Sequence, residues 1–256
     1  MTRVLVTGTD RPVGKAILPR LVRHGMTPVA AVGDAAGAFM TIDHDLIADG
    51  QVAVDLDTHS SISAALEGVS AVIHAADVRP GSSVDIADSV RALASACADR
   101  DVHLVLISRV GADISSISHR KQLWKAEQVV EQTDGLGYTI QRVTHTHPSV
   151  VQLLSRPWLP LPSATPIQPV SPEDVAGRVV GLAQAGPSQR VRDYGGPELM
   201  RFADVAHIHK QVRKTVPRKV PLPSVGVLAE ALAGVHVTKT GNRGTETFRQ
   251  WLVKNS

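Results

Sequence analysis

Through its first 145 residues the chain alternates short, nearly continuous apolar runs with stretches in which apolar residues recur every three or four positions. The runs predict strands at 3–6, 27–32, 51–54, 71–75, 103–108 and 138–143, and the spaced stretches predict helices at 14–24, 60–67, 83–99 and 121–132. Runs such as Val4-Leu5-Val6 and Leu104-Val105-Leu106-Ile107 lack polar alternation, as strands covered on both faces do. Their alternation with helices predicts a parallel, doubly wound α/β sheet in strand order 3-2-1-4-5, with right-handed crossovers and residues 4–6 at the centre.

The texture changes at Pro157. Pro157, Pro160, Pro162, Pro166, Pro169 and Pro172 interrupt regular structure, so the expected division is a dinucleotide-binding core over 1–156 and a smaller C-terminal, substrate-side region over 157–256 completing the same fold. Within that region a helix is expected at 172–185, with Ser171 as N-cap and Glu173 and Asp174 in its first turn.

Residues 4–14 read Val-Leu-Val-Thr-Gly-Thr-Asp-Arg-Pro-Val-Gly, a strand running through a glycine-bearing turn into a helix, which is how a dinucleotide-binding βαβ unit opens. Gly8 serves the sharp bend and Gly14 the close packing of helix on strand. The middle glycine is absent, with Arg11 or Pro12 in its place depending on spacing, and Pro12 withdraws one N–H from a loop that would offer such groups to phosphate.

Composition narrows the class. A chain of 256 residues with 43% hydrophobic content buries a substantial core, and Cys97 has no second cysteine to pair with. With an N-terminus that enters a strand directly, and without a run of about 18 apolar residues, this points to the cytoplasm and away from a membrane. The net charge of +3 hides an asymmetry: residues 201–256 hold 10 Lys and Arg against 3 Asp and Glu, and the remainder 17 against 21. Aromatic content of 3% leaves few platforms for stacking bases, so the basic region reads as a solvated face and not as a nucleic-acid surface.

Further short motifs follow in order: Asp55-Leu56 after the third strand, Val72-Ile73-His74-Ala75-Ala76 at the fourth, Leu106 to Asp113 at the fifth, and Tyr138 to Thr144 with His147. They continue with Pro169-Val170 leading to Asp174-Val175-Ala176, then Gly195-Gly196-Pro197-Glu198, and finally Gly244-Thr245 with Phe248 and Trp251-Leu252. In this order and spacing the chain resembles the atypical short-chain dehydrogenase/reductases of the NmrA-like, NAD(P)-binding type found in actinobacteria. The resemblance implies a Rossmann-like fold and a nicotinamide cofactor.

It also implies roles for residues. Gly8, Thr9, Arg11, Val13 and Gly14 would form the phosphate turn, Asp55 would bond the adenine amine beside Leu56, and Ala75 and Ala76 would let the cofactor lie close over the sheet. Asp34 has the spacing of a ribose-binding carboxylate but reads equally as a turn residue after Gly33. Val32 and Gly33 stand where relatives carry the group that selects NAD or NADP, and Arg11 occupies a position at which some short-chain reductases grip a 2′-phosphate. NADP(H) is therefore expected over NAD(H), with a site that has lost its cofactor as the alternative.

The family's serine is matched by Ser108, but the stretch that should supply the catalytic tyrosine reads Ile117-Ser118-His119-Arg120-Lys121-Gln122-Leu123. His119, with Lys121 beside it, is then the candidate proton donor, and a solvent-facing loop histidine is its plain alternative. Thr144 and His147 would line the substrate cleft. His145 and His147 alternate along a strand end, as His207 and His209 do unless they lie on a helix, yet no carboxylate or cysteine completes a metal-ligand set.

Two functions follow. One is an oxidoreductase acting on a small apolar carbonyl or enone, in which Ser108 orients the oxygen. The other is a non-catalytic sensor with a degenerate cofactor site and a regulatory protein as partner. Either would be a monomer or a homodimer.

Overall fold

The computed structural model describes residues 2–32, 51–53, 59–75, 86–155, 158–159, 162–214, 218–219 and 227–256. In chain order its first elements are β1 (Arg3–Thr7), α1 (Pro12–Arg23), β2 (Thr27–Val32), β3 (Gln51–Ala53), α2 (His59–Ala65), β4 (Ala71–His74), α3 (Ile86–Ala98), β5 (His103–Arg109), α4 (Ser118–Gln132) and β6 (Tyr138–Val143). There follow α5 (His147–Leu154), β7 (Trp158–Leu159), β8 (Pro166–Ile167), α6 (Pro172–Ala185), β9 (Gln189–Arg190), β10 (Tyr194–Gly195) and β11 (Met200–Arg201). The last are α7 (Phe202–Arg213), β12 (Arg218–Lys219), α8 (Val227–Leu232), β13 (Asn242–Arg243) and α9 (Phe248–Lys254).

The chain folds into two compact units that interleave along the sequence. One comprises Met1–Ser108, Gln122–Gln141 and Ala176–Val191; the other comprises Arg109–Lys121, Arg142–Val175 and Arg192–Ser256.

The first unit is built on a sheet in the order β3-β2-β1-β4-β5-β6, with β9 also pairing β6. The pairs from β3 to β5 are parallel, and β1 lies between β2 and β4, as the apolar runs predict. Val4, Leu5 and Val6 have no exposed surface, because a central strand between helical layers hides both faces. Burying each such side chain stabilises the fold by about 1.5–3 kcal/mol. Helix α1 turns Ile17, Leu18 and Leu21 inward, and starts at Pro12, two residues ahead of the expected start, since proline suits a position whose N–H would be unused.

Other boundaries move as well. Helix α4 begins at Ser118, three residues early, with Lys121 N–H bonded to the Ile117 carbonyl at 3.0 Å. Its polar first turn gave no apolar period to read. Strand β5 runs on to Arg109.

In the second unit β10 pairs in parallel with Val143 of β6 and with β13, β8 pairs antiparallel with β11, and β7 pairs in parallel with β12. Its apolar core joins α5, α7 and α9 through Val150, Leu154, Phe202, Val205, Phe248, Trp251 and Leu252. Helix α6 opens as expected: the Ser171 hydroxyl accepts the Asp174 N–H at 3.0 Å, with Pro172, Glu173 and Asp174 in the first turn. Gln168, fully buried, donates to the Gly196 carbonyl and accepts the Thr238 N–H, both at 2.9 Å, and so ties three loops together. Among the described residues no helix is long and apolar enough to cross a membrane.

Candidate functional site

Strand β1 ends at Thr7, and the chain bends at Gly8, whose φ of 69° is one that only glycine adopts without strain. The Arg11 N–H closes the bend on the Gly8 carbonyl at 3.0 Å. A Cβ on Gly14 would fall onto that carbonyl, with the Gly8 carbonyl carbon at 2.7 Å and Thr9 Cα at 2.9 Å. Gly14 is thus the residue that lets helix α1 pass tightly over the strand exit. Thr9 is buried, its hydroxyl 3.4 Å from the Ala31 carbonyl.

This turn aims the N-terminus of α1 outward. Val13 and Gly14, past the imide nitrogen of Pro12, are first-turn positions whose N–H groups find no partner within a helix. They and the positive end of the helix dipole suit a phosphate. The Arg11 guanidinium is about one-third exposed, with the Asp10 carboxylate 3.4 Å from its Nε. At the neighbouring strand end, Ala75 N–H bonds the Thr7 carbonyl at 3.3 Å, and the Thr7 hydroxyl meets His74 Nδ1 at 2.8 Å. The first unit therefore brings Gly8, Thr9, Arg11, Val13, Gly14 and Ala75 to the C-terminal ends of β1 and β4. Asp34, Asp55, Leu56 and Ala76 lie outside the described residues. Ser108, also of this unit, is 1% exposed, and its hydroxyl has no hydrogen-bond partner.

His119, Lys121, Thr144 and His147 belong to the second unit. His119 is not a loop residue: it sits half-buried in the first turn of α4, next to exposed Lys121. Thr144 is buried, donating to the Gln168 carbonyl at 2.6 Å. His147, expected to line a cleft, is buried in this unit. It opens α5 with no exposed surface, its ring 5.6 Å from that of Phe248 and 5.5 Å from that of Trp251. Neither ring nitrogen makes a hydrogen bond. Burial pushes its pKa down to about 4, against a smaller opposing pull from the Pro169 carbonyl and Asp174.

The shared strand face of His145 and His147 is corrected too. Strand β6 stops at Val143, so the two imidazoles part, and His145 turns to Arg120 and His236. His207 and His209 lie on helix α7, where a spacing of two sends side chains to different sides.

Sequence reasoning passed over the most unusual side chains of this unit. Arg120 is 7% exposed; its Nη1 donates to the Val110 carbonyl at 2.6 Å, and its Nη2 lies 3.3 Å from His145 Nε2. Guanidinium only donates, so His145 Nε2 accepts and the ring proton sits on Nδ1. The His236 ring stands edge-on to His145 at 6.1 Å. His145 is held well below the usual histidine range by desolvation, then by Arg120, Arg109 and His236. His236 is pushed down to about 4 by burial and Arg120, with Glu230 pulling the other way.

No protein-family model matches the chain, and no curated protein does. Solved structures do. A UDP-glucose 4-epimerase from Bifidobacterium longum, in complex with NAD+ and UDP, superimposes with a TM-score of 0.78 at 12% identity, over 98% of this chain and 96% of that one. An NADPH-dependent quinone oxidoreductase from Escherichia coli gives 0.73 at 17% identity, over 98% and 99%. A Thermus thermophilus UDP-glucose 4-epimerase, complexed with NAD, gives 0.69 at 18% identity, over 98% of each chain. The chain has the Rossmann-like fold of these epimerases and reductases, in agreement with the fold class that the resemblance implied.

Proposed function

We propose that the protein binds a nicotinamide dinucleotide at the β1–α1 turn, NADP(H) in preference to NAD(H), and reduces a small conjugated carbonyl such as an enone or a quinone. The observation that carries this reading is the Gly8–Gly14 contact, a backbone approach with no room for a Cβ, which keeps the helix N-terminus over the strand exit where a pyrophosphate would sit. The residues present fit the group at that point: first-turn N–H groups at Val13 and Gly14 for the pyrophosphate, and the Arg11 guanidinium for a 2′-phosphate. When bound, the dinucleotide supplies a hydride.

The substrate class follows from the missing tyrosine. A simple ketone becomes a basic alkoxide on reduction and calls for a strong proton donor, whereas an enone or quinone delocalises the charge and takes its proton late, from water or a weaker acid. Ser108, buried at the end of β5 with an unused hydroxyl, is the group assigned to orient the substrate oxygen. The quinone oxidoreductase among the structural neighbours supports the same class.

A second reading, a sensor that holds a dinucleotide without turnover, is favoured by the Asp10 carboxylate beside Arg11 and by the N–H that Pro12 lacks. The deciding experiment is a thermal melt with NADPH or NADH, followed by turnover of a simple quinone read as loss of reduced-nicotinamide absorbance. A ligand at about 100 times its dissociation constant adds about 2.7 kcal/mol of stability. Stabilisation with turnover is the expected result, stabilisation alone selects the sensor, and a melt indifferent to both dinucleotides sinks the reading.

A further inference from the structure

Outside the nucleotide turn, the second unit holds a buried imidazole whose polar atoms its own packing does not satisfy. His236 is 8% exposed, and neither of its ring nitrogens has a hydrogen-bond partner. Leaving a buried donor unmade is costly, and His236, unlike the equally unpartnered His147 packed on Phe248 and Trp251, has a second imidazole and a guanidinium beside it. Beside it His145 remains partly accessible, and desolvation holds its imidazole neutral. By its bond to Arg120, this ring keeps its own N–H, on Nδ1, for something else.

The frame around the group is rigid. Arg120 is pinned to the Val110 carbonyl, and the next residue, Gly111, has φ 77° and no room for a Cβ, which would meet Val235 Cγ1 at 2.8 Å. The backbone leading into His236 is therefore pressed onto the residue that follows Arg120's anchor. The charges that bear on the two imidazoles are Arg120 and Arg109 on one side and Glu230 on the other. The Glu230 carboxylate is engaged by the Ser116 N–H at 2.9 Å and the Ser115 hydroxyl at 3.2 Å. A cation is thus disfavoured by the arginines, while imidazole N–H donors beside a guanidinium match the acceptor oxygens of an anion.

We propose that Arg120, His145 and His236 form an oxyanion-binding site in the second unit, taking the carboxylate or phosphate group of a small molecule. The site needs no dinucleotide. It gives the second unit a ligand of its own, and a bound anion would favour the imidazolium form of His236, while His145 stays neutral to keep its bond from Arg120, so that affinity rises as pH falls.

The test uses the whole protein without dinucleotide, titrated with inorganic phosphate and, separately, with acetate, while the histidine ring protons are followed by NMR. Saturable shifts at His145 and His236, with the His236 titration midpoint moved to higher pH by the anion, are expected. Response to phosphate alone or acetate alone identifies which class the site takes. His236→Phe should weaken binding at least tenfold while its melting temperature holds or rises, because a buried donor without a partner has been replaced by an apolar ring. His236→Gln, which keeps one donor, should fall between. Arg11→Ala should leave this affinity unchanged, separating the site from any anion at the start of α1. Absence of saturable shifts with both anions overturns the proposal, as does unimpaired binding by His236→Phe.

Discussion

The β1–α1 turn and the Arg120–His145–His236 group are built in opposite ways. The turn is made of backbone: a left-handed glycine, a second glycine pressed on the first, and N–H groups at a helix start. The group is made of side chains drawn from α4, the segment just after β6 and the segment before β13, with Arg120 bonded to His145 and the His236 ring edge-on to it. A backbone site tolerates exchange of nearly every residue except its glycines. A side-chain site fails when any one member changes, yet its members are free of the steric demands that mark glycine.

Acid should separate the two units most sharply. His147 and His236 are held near 4, below the ordinary 6.5, so the unfolded chain takes up protons between those values that the folded one refuses. Their folded pKa values lie below the unfolded ones, so stability falls as pH drops from about 6.5 to about 4 and levels off below. Each imidazole contributes a loss of about 3 kcal/mol, and His145 adds to it in the same direction. Trp251 reports the second unit and Trp124 the first, so single-tryptophan variants should show the Trp251 signal melting first as pH falls. Simultaneous loss of both signals at every pH would erase the contrast.

Substitutions sharpen it further. Leu5→Ala, in the central strand of the first unit, should cost about 2–5 kcal/mol by chemical denaturation, with the pH dependence of the second unit unchanged. Gly14→Ala should cost about 1–3 kcal/mol and abolish dinucleotide binding, since helix α1 must lift from the turn; a variant that still binds would break the account of the turn. Arg11→Ala should be the mildest. Its exposed pair with Asp10 is worth about 0–1 kcal/mol, so the melt should barely move while the preference for NADPH over NADH disappears.

What could be read in advance follows the same divide. The order of the first five strands was legible because runs such as Val4-Leu5-Val6 are signals of local pattern, and the roles of Gly8 and Gly14 were legible because backbone geometry restricts residue type. Arg120 was not. Ser118-His119-Arg120-Lys121 is polar throughout, and nothing in it tells that the third residue, and not the second, turns inward at a helix start. His145 and His147 were read as strand neighbours because alternation looks the same whether the strand continues or, as here, a helix begins at the second histidine. The partnership of His145 with His236 lies in tertiary packing, which one sequence does not spell out.

Interleaving gives the chain a particular kind of inheritance. Because the backbone passes back and forth between the units, with residues 109–121 and 142–175 of the second lying inside the span of the first, neither unit can be excised by a single cut or swapped as a cassette by a single recombination event. Truncation after Val191 would strip away the last segment of the second unit and strand the other two without their core partners Phe202, Phe248 and Trp251. A contiguous gene fragment therefore encodes neither unit whole.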